Sequence, residues 1–510
     1  MPNSPPLETE LKLAVSPAGE RRLAKHAAFQ PPRASEPTSE HIVTTYFDTP
    51  RHDLARRGLS LRVRRAGKER IQAVKADGDG GAAMARGEWE WPVAQETPDL
   101  GLVAGTPVAE ALASEIDRSL EPVVVTDIVR TKRIVEWDGA VIEAALDAGS
   151  IEAGDSSEPI HELELELRKG APGALFRLAL ALHAATPLSV EVESKAARGY
   201  RLKDGSPPQA EKPKPSILDP KVRATDGLNH VIAGALGHLL LNRAAALAGD
   251  REGIHQVRVA IRRVRSALML FEPRLEPHAL SLFQDELKRL GRAIGEARDW
   301  DVFCADILPA AFDGTENTQL GELIRDAAEA RRHEADAACT REIRSPSFTA
   351  LILGLAAWTE AGREQRTLLG DRRLDRRLSR IAPALVDRLS SKVQKRGRAL
   401  GPGASPETLH PLRKSAKKLR YAVEFLASLY PKKDAKRFVK RLKALQKSLG
   451  VINDGATAIR LAEELARGGR LELGVPIGAL AASRKNASAQ AMRKLDKQWA
   501  AFERQGGFWR

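Results

Sequence analysis

Aromatic residues make up only 5% of the 510-residue chain, too few to build stacking platforms for single-stranded nucleic acid. Cysteine is nearly absent. Cys304 and Cys339 are the only two, which excludes a disulfide scaffold and a cysteine-rich zinc module. No charged-then-apolar leader opens the sequence, because MPNSPPLETELKL is polar from the start. The longest apolar stretch, residues 227–249, is interrupted by Asn229, His230, His238, Asn242 and Arg243. It is too broken to span a bilayer. No HExxH stretch is present to support zinc-protease chemistry. The glycine-rich run 76–87 lacks both the GK[ST] ending of a phosphate loop and the twelfth-position glutamate of a calcium loop, and reads as a hairpin loop. These absences point to a soluble cytoplasmic protein with no membrane partner.

What is present is unevenly spread. The net charge of +14 divides into −7 over residues 1–200 and +21 over residues 201–510. A strongly basic back half fits a polyanion partner held by electrostatic attraction that reads no sequence. Residues 204–220 are proline-rich and almost free of apolar side chains, so they read as a linker between domains 1–203 and 221–510. Before the linker, eight short runs alternate apolar and polar residues, among them LETELKLAV, LSLRVRRA and HELELELRK. This period of two is the signature of strands with unlike faces, and eight such strands predict an antiparallel barrel or a strongly curved sheet. After the linker the apolar residues recur at steps of three and four, which predicts an all-α bundle.

The second face of the predicted strands is charged in an ordered way. Glu8, Glu10 and Lys12 share one side of their strand, Arg62 and Arg64 one side of another, and Glu162, Glu164 and Glu166 one side of a third. Inside a barrel these faces converge on a channel with an acidic wall and a basic wall. Clustered carboxylates suit hard cations such as Mg²⁺ or Mn²⁺, and arginines opposite them suit phosphoryl oxygens. That pairing is what phosphoryl transfer requires.

In this order the residues resemble a known family. Glu8-Thr9-Glu10-Leu11-Lys12 is similar to the ExExK signature of CYTH domains, the triphosphate tunnel metalloenzymes. The resemblance continues through Tyr46-Phe47-Asp48-Thr49, Leu61-Arg62-Val63-Arg64, Lys75, Arg86 with Glu88, Arg133, Asp147, Glu162 to Glu166, and Ser194-Lys195. It implies an eight-stranded antiparallel barrel enclosing a tunnel. It also implies metal ligands at Glu8, Glu10, Asp147, Glu162 and Glu164, with Glu164 and Glu166 as the alternative pair. Triphosphate contacts are implied at Lys12, Arg62, Arg64, Lys75, Arg133 and Lys195. Ala197 stands in the SKAARGY stretch where a glutamate is usual. The implied activity is Mg²⁺- or Mn²⁺-dependent hydrolysis of inorganic triphosphate or short polyphosphate. The group that takes the proton from water is not assigned by the sequence.

The back half contains a duplication at an offset of 155 residues. His255 and Arg258 align with His410 and Arg413; Arg262, Arg263 and Arg265 with Lys417, Lys418 and Arg420; Lys288 and Arg292 with Lys443 and Lys447; Asp299 with Asp454. A constant offset over this span marks a repeat, with units at about 221–375 and 376–510, and predicts two bundles about a pseudo-twofold axis. The 3-4-3 spacing of His255, Arg258, Arg262 and Arg265 forms one stripe of a helix, repeated by His410, Arg413, Lys417 and Arg420. Like charges gathered twice in this way call for an anion. The pattern resembles the CHAD domain, which implies inorganic polyphosphate as ligand, bound by these basic residues. His255 and His410 have no Ser, Cys or carboxylate at catalytic spacing, and read either as phosphate contacts or as caps. A second class of function stays open: a non-catalytic polyphosphate-binding or granule-targeting protein. Sequence-specific nucleic-acid binding lacks any supporting motif.

Overall fold

The computed structural model describes residues 9–76, 87–113, 119–275, 277–314, 317–361, 374–401, 404–467 and 471–509. The chain forms two compact units. The first comprises residues 1–210, 236–248 and 345–366; the second comprises 211–235, 249–344 and 367–510. The architecture is α+β, an antiparallel sheet in the first unit and helices in the second.

The sheet of the first unit is built from β1 (Glu10–Ala14), β2 (Thr38–Asp48), β3 (Leu59–Ala66), β4 (Glu69–Ala76), β5 (Gly87–Pro92), β6 (Glu121–Trp137), β7 (Ala140–Ala153), β8 (Ser156–Lys169) and β9 (Ser189–Glu191). Its order is β5-β4-β3-β2-β6-β7-β8-β1-β9. Among the described residues the edge strands β5 and β9 do not pair, so the sheet is open and nine-stranded where a closed eight-stranded barrel was expected. The additional strand is β2, whose alternation is blurred because its cavity face mixes Glu40, Ile42, Thr44 and Tyr46.

Short turns set much of the register. Asp138 and Gly139, at φ 49° and 73°, make the two-residue turn favoured between twisted strands. They lock Trp137 opposite Ala140 and therefore Arg130 opposite Asp147. The turn Gly154-Asp155 between β7 and β8 similarly places Asp147 opposite Glu162. The short helices α1 (Pro17–Leu23), α2 (Asp53–Arg56) and α3 (Pro107–Ala113) decorate the sheet, and α4 (Pro172–Ala185) covers the outer face of β8. Leu163 and Leu165 of β8 and Leu11 and Leu13 of β1 are buried on that face. Burying each contributes about 1.5–3 kcal/mol. The intervening glutamates are thereby turned to the opposite, concave side. Helix α5 (Lys195–Asp204) follows β9, with Ser194 accepting from the Ala197 N–H at 3.2 Å as its N-cap.

The remaining helices are α6 (Ala224–Leu241), α7 (Arg243–Leu247), α8 (Arg251–Phe271), α9 (Pro277–Val302), α10 (Leu308–Phe312), α11 (Thr318–Arg344), α12 (Pro346–Thr359), α13 (Leu378–Arg398), α14 (Pro406–Leu426), α15 (Lys432–Ala466) and α16 (Gly474–Glu503). The bounds of α8 and α14 differ by 155 at both ends, and the 3₁₀ turns Glu272–Arg274 and Ala427–Leu429 keep the same offset. So do their buried stripes: Ile254, Val257, Ile261 and Val264 correspond to Leu409, Leu412, Ala416 and Leu419. Helices α9 and α15 start in register, but α9 breaks into a π-turn at Phe303–Ile307 where α15 runs on.

Candidate active site and cationic helix face

The concave side of the sheet encloses a cavity of about 630 Å³. Its basic wall comes from β3 and β4. Arg62 Nη2 donates to Glu88 Oε1 at 2.9 Å, Lys75 Nζ lies 2.7 Å from Glu88 Oε2, and Arg64 lies 3.6 Å from Glu90. Burial works against the charge on Arg62, but Tyr46 and Glu88 outweigh it and hold the guanidinium above its ordinary pKa. Two arginines and a lysine thus share two carboxylates, which leaves this wall short of negative charge.

The acidic wall is deeper. Oxygens of Asp147, Glu162 and Glu164 lie within 4.8 Å of one another, and Asp147 and Glu162 are fully enclosed. Lys195 Nζ sits against all three, 2.9 Å from Asp147, 2.6 Å from Glu162 and 2.8 Å from Glu164. Arg130 donates from Nε and Nη2 to Asp147 at 2.7 and 2.6 Å, and from Nη2 to Glu164 at 2.5 Å. Arg198, one turn along α5 from Lys195, reaches Glu162 at 2.9 Å. Burial would raise the Glu164 pKa, but Lys195, Arg130 and Lys12 hold it well below the usual carboxylate range. Nearer the mouth, Glu166 stands between Glu10 and Glu143 on neighbouring strands. Burial first, then Glu143 and Glu10, raise its pKa against the opposing pull of Arg168.

Both groups offer the hard oxygens that suit Mg²⁺ or Mn²⁺. The deep trio would share them with Lys195. Among the described residues the row of Glu10, Glu143 and Glu166 is balanced by Lys12 at 3.2 Å from Glu10 and Arg168 at 2.5–2.9 Å from Glu166 and Glu143, with Lys75 also pulling on Glu166. The donor chemistry therefore fits a divalent cation.

Helix α5 closes one end of the cavity. At Gly199 an added Cβ would lie 2.2 Å from Val124, so only glycine lets the helix press onto β6. Tyr200 donates to the buried Asp48 at 2.9 Å; Asp48 also accepts from the N–H groups of Thr49, Leu54 and Ala55 at 2.7, 2.9 and 3.0 Å. Asp48→Ala would strand these donors and should cost about 3 kcal/mol. A thermal melt should drop by several degrees, and an unchanged melting temperature would show that Asp48 does not anchor α5.

In the second unit, α8 and α14 present the repeated basic stripe. Arg258 pairs with Asp299 at 3.0 Å and Arg413 with Asp454 at 3.2 Å, the same pair at the same offset. Burial, followed by repulsion from Arg413, Arg262 and Arg258, pushes the Lys417 pKa down to about 7. Arg262 is likewise lowered by burial and by Arg258, Arg420 and Arg413, so the two stripes form one cationic cluster. Burial and Arg298 lower the His255 pKa, while His410 Nδ1 bonds Asn453 at 2.8 Å. Arg263 is buried and stacks over Phe425 with 5.0 Å to the ring centre. Lys418 lies near Lys392, Arg396 and Arg265 instead of the central cluster. Lys288, Arg292, Lys443 and Lys447 are exposed on α9 and α15, Lys288 pairing with Asp285 at 3.0 Å.

Comparison with known proteins finds two families in the chain. The CYTH family profile matches residues 6–200 and the CHAD profile matches residues 230–463. The chain is a CYTH–CHAD fusion. Its CYTH region is 34% identical over 197 residues to an inorganic triphosphatase of Haemophilus influenzae, covering 38% of this chain and 54% of that protein. The chain thus spans about half the length of that relative. An uncharacterized protein of Mycobacterium tuberculosis is 25% identical over 423 residues, 76% of each chain. The crystal structure of a CHAD domain from the plant Ricinus communis is 31% identical, covering 58% of this chain and 96% of that one, with a TM-score of 0.48.

The CYTH cavity gathers Glu10, Lys12, Arg62, Arg64, Lys75, Glu164, Glu166 and Lys195 along its lining, with Asp147 and Glu162 behind them. Glu8 and Arg86 lie outside the described residues. Arg133 does not reach the cavity. It is odd-numbered on a strand whose cavity side holds Thr126, Ile128, Arg130 and Lys132. On the reverse face it donates to the Phe29 carbonyl at 2.7 Å and stacks on the Phe29 ring. Arg130 takes the place expected of it. The Asp138-Gly139 turn carried that information, since counting back from it sets Arg130 opposite Asp147. Arg198, Glu143 and Tyr200 were also missed; the first and last are legible only once α5 is seen to fold over the sheet.

Proposed function

We propose that the CYTH unit hydrolyses inorganic triphosphate and short polyphosphate with Mg²⁺ or Mn²⁺, and that the CHAD unit binds inorganic polyphosphate. The observation that carries the first half is one cavity with Arg62, Arg64 and Lys75 on one wall and Glu10, Glu143, Glu164 and Glu166 on the other, backed by Asp147 and Glu162. The name of the Haemophilus relative supports it. A bound divalent cation would draw charge from the phosphoryl oxygens. Glu10, Glu143, Glu164 and Glu166 are the residues to hold it. Arg62, Arg64, Lys12 and Lys75 hold the chain by its non-bridging oxygens, and Lys195 approaches from α5 at the closed end. Water attacks the terminal phosphorus, the anhydride bond breaks, and phosphate and the shortened chain leave. Little covalent chemistry is asked of the protein, so positioning and charge supply most of the rate.

For the CHAD unit, the support is the doubled stripe of α8 and α14 and its buried, mutually repelling cations. The 155-residue offset in helix bounds supports a pseudo-twofold relation between the repeats. Arg258 and Arg413 are partly occupied by Asp299 and Asp454, so Asp299→Asn with Asp454→Asn should tighten polyphosphate binding about threefold. Weaker binding would make these aspartates part of the fold of the site.

Phosphate release from inorganic triphosphate, ATP and long polyphosphate, each with Mg²⁺, Mn²⁺ or EDTA, tests the enzymatic reading. Release confined to short inorganic chains with a divalent cation supports it. No release with any cation, alongside polyphosphate binding by the full chain, leaves the non-catalytic binding role. One observation favours that second reading: Lys195, Arg130 and Arg198 already form ion pairs with Asp147, Glu162 and Glu164.

A further inference from the structure

A second cavity, of about 370 Å³, lies in the second unit between the start of α15 and the segment after α16. Arg437 and Arg441 enter it one turn apart on α15, and Arg504 enters from the C-cap of α16. Asp434 is the one acid among the described residues of the lining. Among the described residues neither Arg437 nor Arg504 forms an ion pair, and Arg441 Nη1 is fixed across the cavity by the Ala501 carbonyl at 2.9 Å. The side-chain oxygen of Gln505 is buried without a hydrogen-bond partner, a cost that an amide turned toward a bound acceptor would remove.

The wall opposite is a fixed piece of chain. Gly506, at φ 66°, reverses the backbone, and the Phe508 ring packs 5.4 Å from Tyr430, 5.5 Å from Phe438 and 5.1 Å from Trp509. Trp509 Nε1 then donates to Asp387 at 2.8 Å. The arginines therefore face a preformed hollow. The cavity is also not part of the duplicated stripe. At 155 residues upstream of Arg437, Arg441 and Arg504 the sequence has Leu282, Glu286 and Thr349, so the first repeat has no counterpart.

We infer that Arg437, Arg441 and Arg504 form a separate site for a compact oligophosphate, distinct from the α8–α14 stripe. Three guanidinium forks around a small hollow match the several outward oxygens of two or three linked phosphoryl groups. The same chemistry is offered by inorganic triphosphate and by the phosphates of a nucleotide.

The test uses the full chain in EDTA, with phenylglyoxal modification of each arginine followed by peptide mass spectrometry. Inorganic triphosphate should slow modification of Arg437 and Arg504 about fivefold, and should still do so in Arg258→Glu/Arg413→Glu. Protection by inorganic triphosphate but not by ATP identifies a free inorganic ligand; equal protection by ATP identifies the phosphate chain of a nucleotide as acceptable. Arg437→Gln/Arg504→Gln, whose side chains are exposed and should leave folding intact, should lose one class of triphosphate site in calorimetry. Unchanged rates at Arg437 and Arg504 while Arg62 and Arg64 are protected would overturn the inference. So would equal protection by sulfate at the same ionic strength.

Discussion

Arg130→Lys should lower triphosphate hydrolysis about 100-fold, whereas Arg133→Lys should leave it within about twofold. The two residues are three apart on β6 and point to opposite faces. Arg130 grips Asp147 through Nε and Nη2 and shares Nη2 with Glu164. A lysine keeps one positive charge beside the enclosed Asp147, so the sheet should still fold, but a point charge cannot span both carboxylates. Arg133 instead ties Phe29 to the outside of the sheet. Its loss should appear as about 1–2 kcal/mol of stability and not as a slower reaction. Steady-state phosphate release and a thermal melt on each variant separate the two outcomes. Equal loss of activity in both would mean that Arg133 reaches the substrate, contrary to the register fixed by the Asp138-Gly139 turn.

Arg262→Glu with Lys417→Glu should weaken binding of long polyphosphate by about 1000-fold at low salt. Both residues sit within the merged stripes, and each reversal replaces an attraction with a repulsion. The same cluster predicts a pH dependence. Burial and its arginine neighbours depress Lys417 to about 7, so the free protein loses this charge as pH rises through neutrality. A polyanion favours the charged form, so in the complex the lysine titrates higher. Affinity should therefore be greatest below pH 7, fall as pH rises above it, and binding near pH 8 should take up a proton. Lys417→Arg should flatten this profile. Anisotropy titrations of labelled polyphosphate between pH 6 and 9 provide the measurement, and an equally steep profile in Lys417→Arg would assign the titration elsewhere.

Much of this organisation is visible in residue order because it depends on periodicity. Alternation placed Glu162, Glu164 and Glu166 on one face, and the constant offset exposed the repeat that reappears in the bounds of α8 and α14. What was hidden depends on long-range pairing. Strand β2 has a mixed inward face and no clean alternation. The resemblance put Arg133 among the triphosphate contacts, whereas the Asp138-Gly139 turn sets Arg130 opposite Asp147 on the cavity side. Glu143 belongs to no motif, and only cross-strand pairing sets it beside Glu166, which in turn pairs with Glu10. The cavity of Arg437 and Arg504 joins segments far apart in sequence, with no motif to announce either.

The pairing of the CYTH sheet also implies an order of assembly. Strands β6, β7 and β8 are linked by two-residue turns, so their ladders close with almost no loop entropy. Lys12 must instead find Glu164 across the length of the domain, and β2 must find β6 across the intervening β3–β5 segment. Asp147 and Glu162 should thus be brought together early in the meander, while Lys12, Arg62 and Lys195 arrive late. Pulse-labelled hydrogen exchange during refolding should show protection in β6–β8 before β1. The nascent meander then holds Arg130 against Asp147 and Glu164 but lacks Lys12, Lys195 and Arg198, so its acidic face stays only partly neutralised until β1 and α5 dock and complete the cavity.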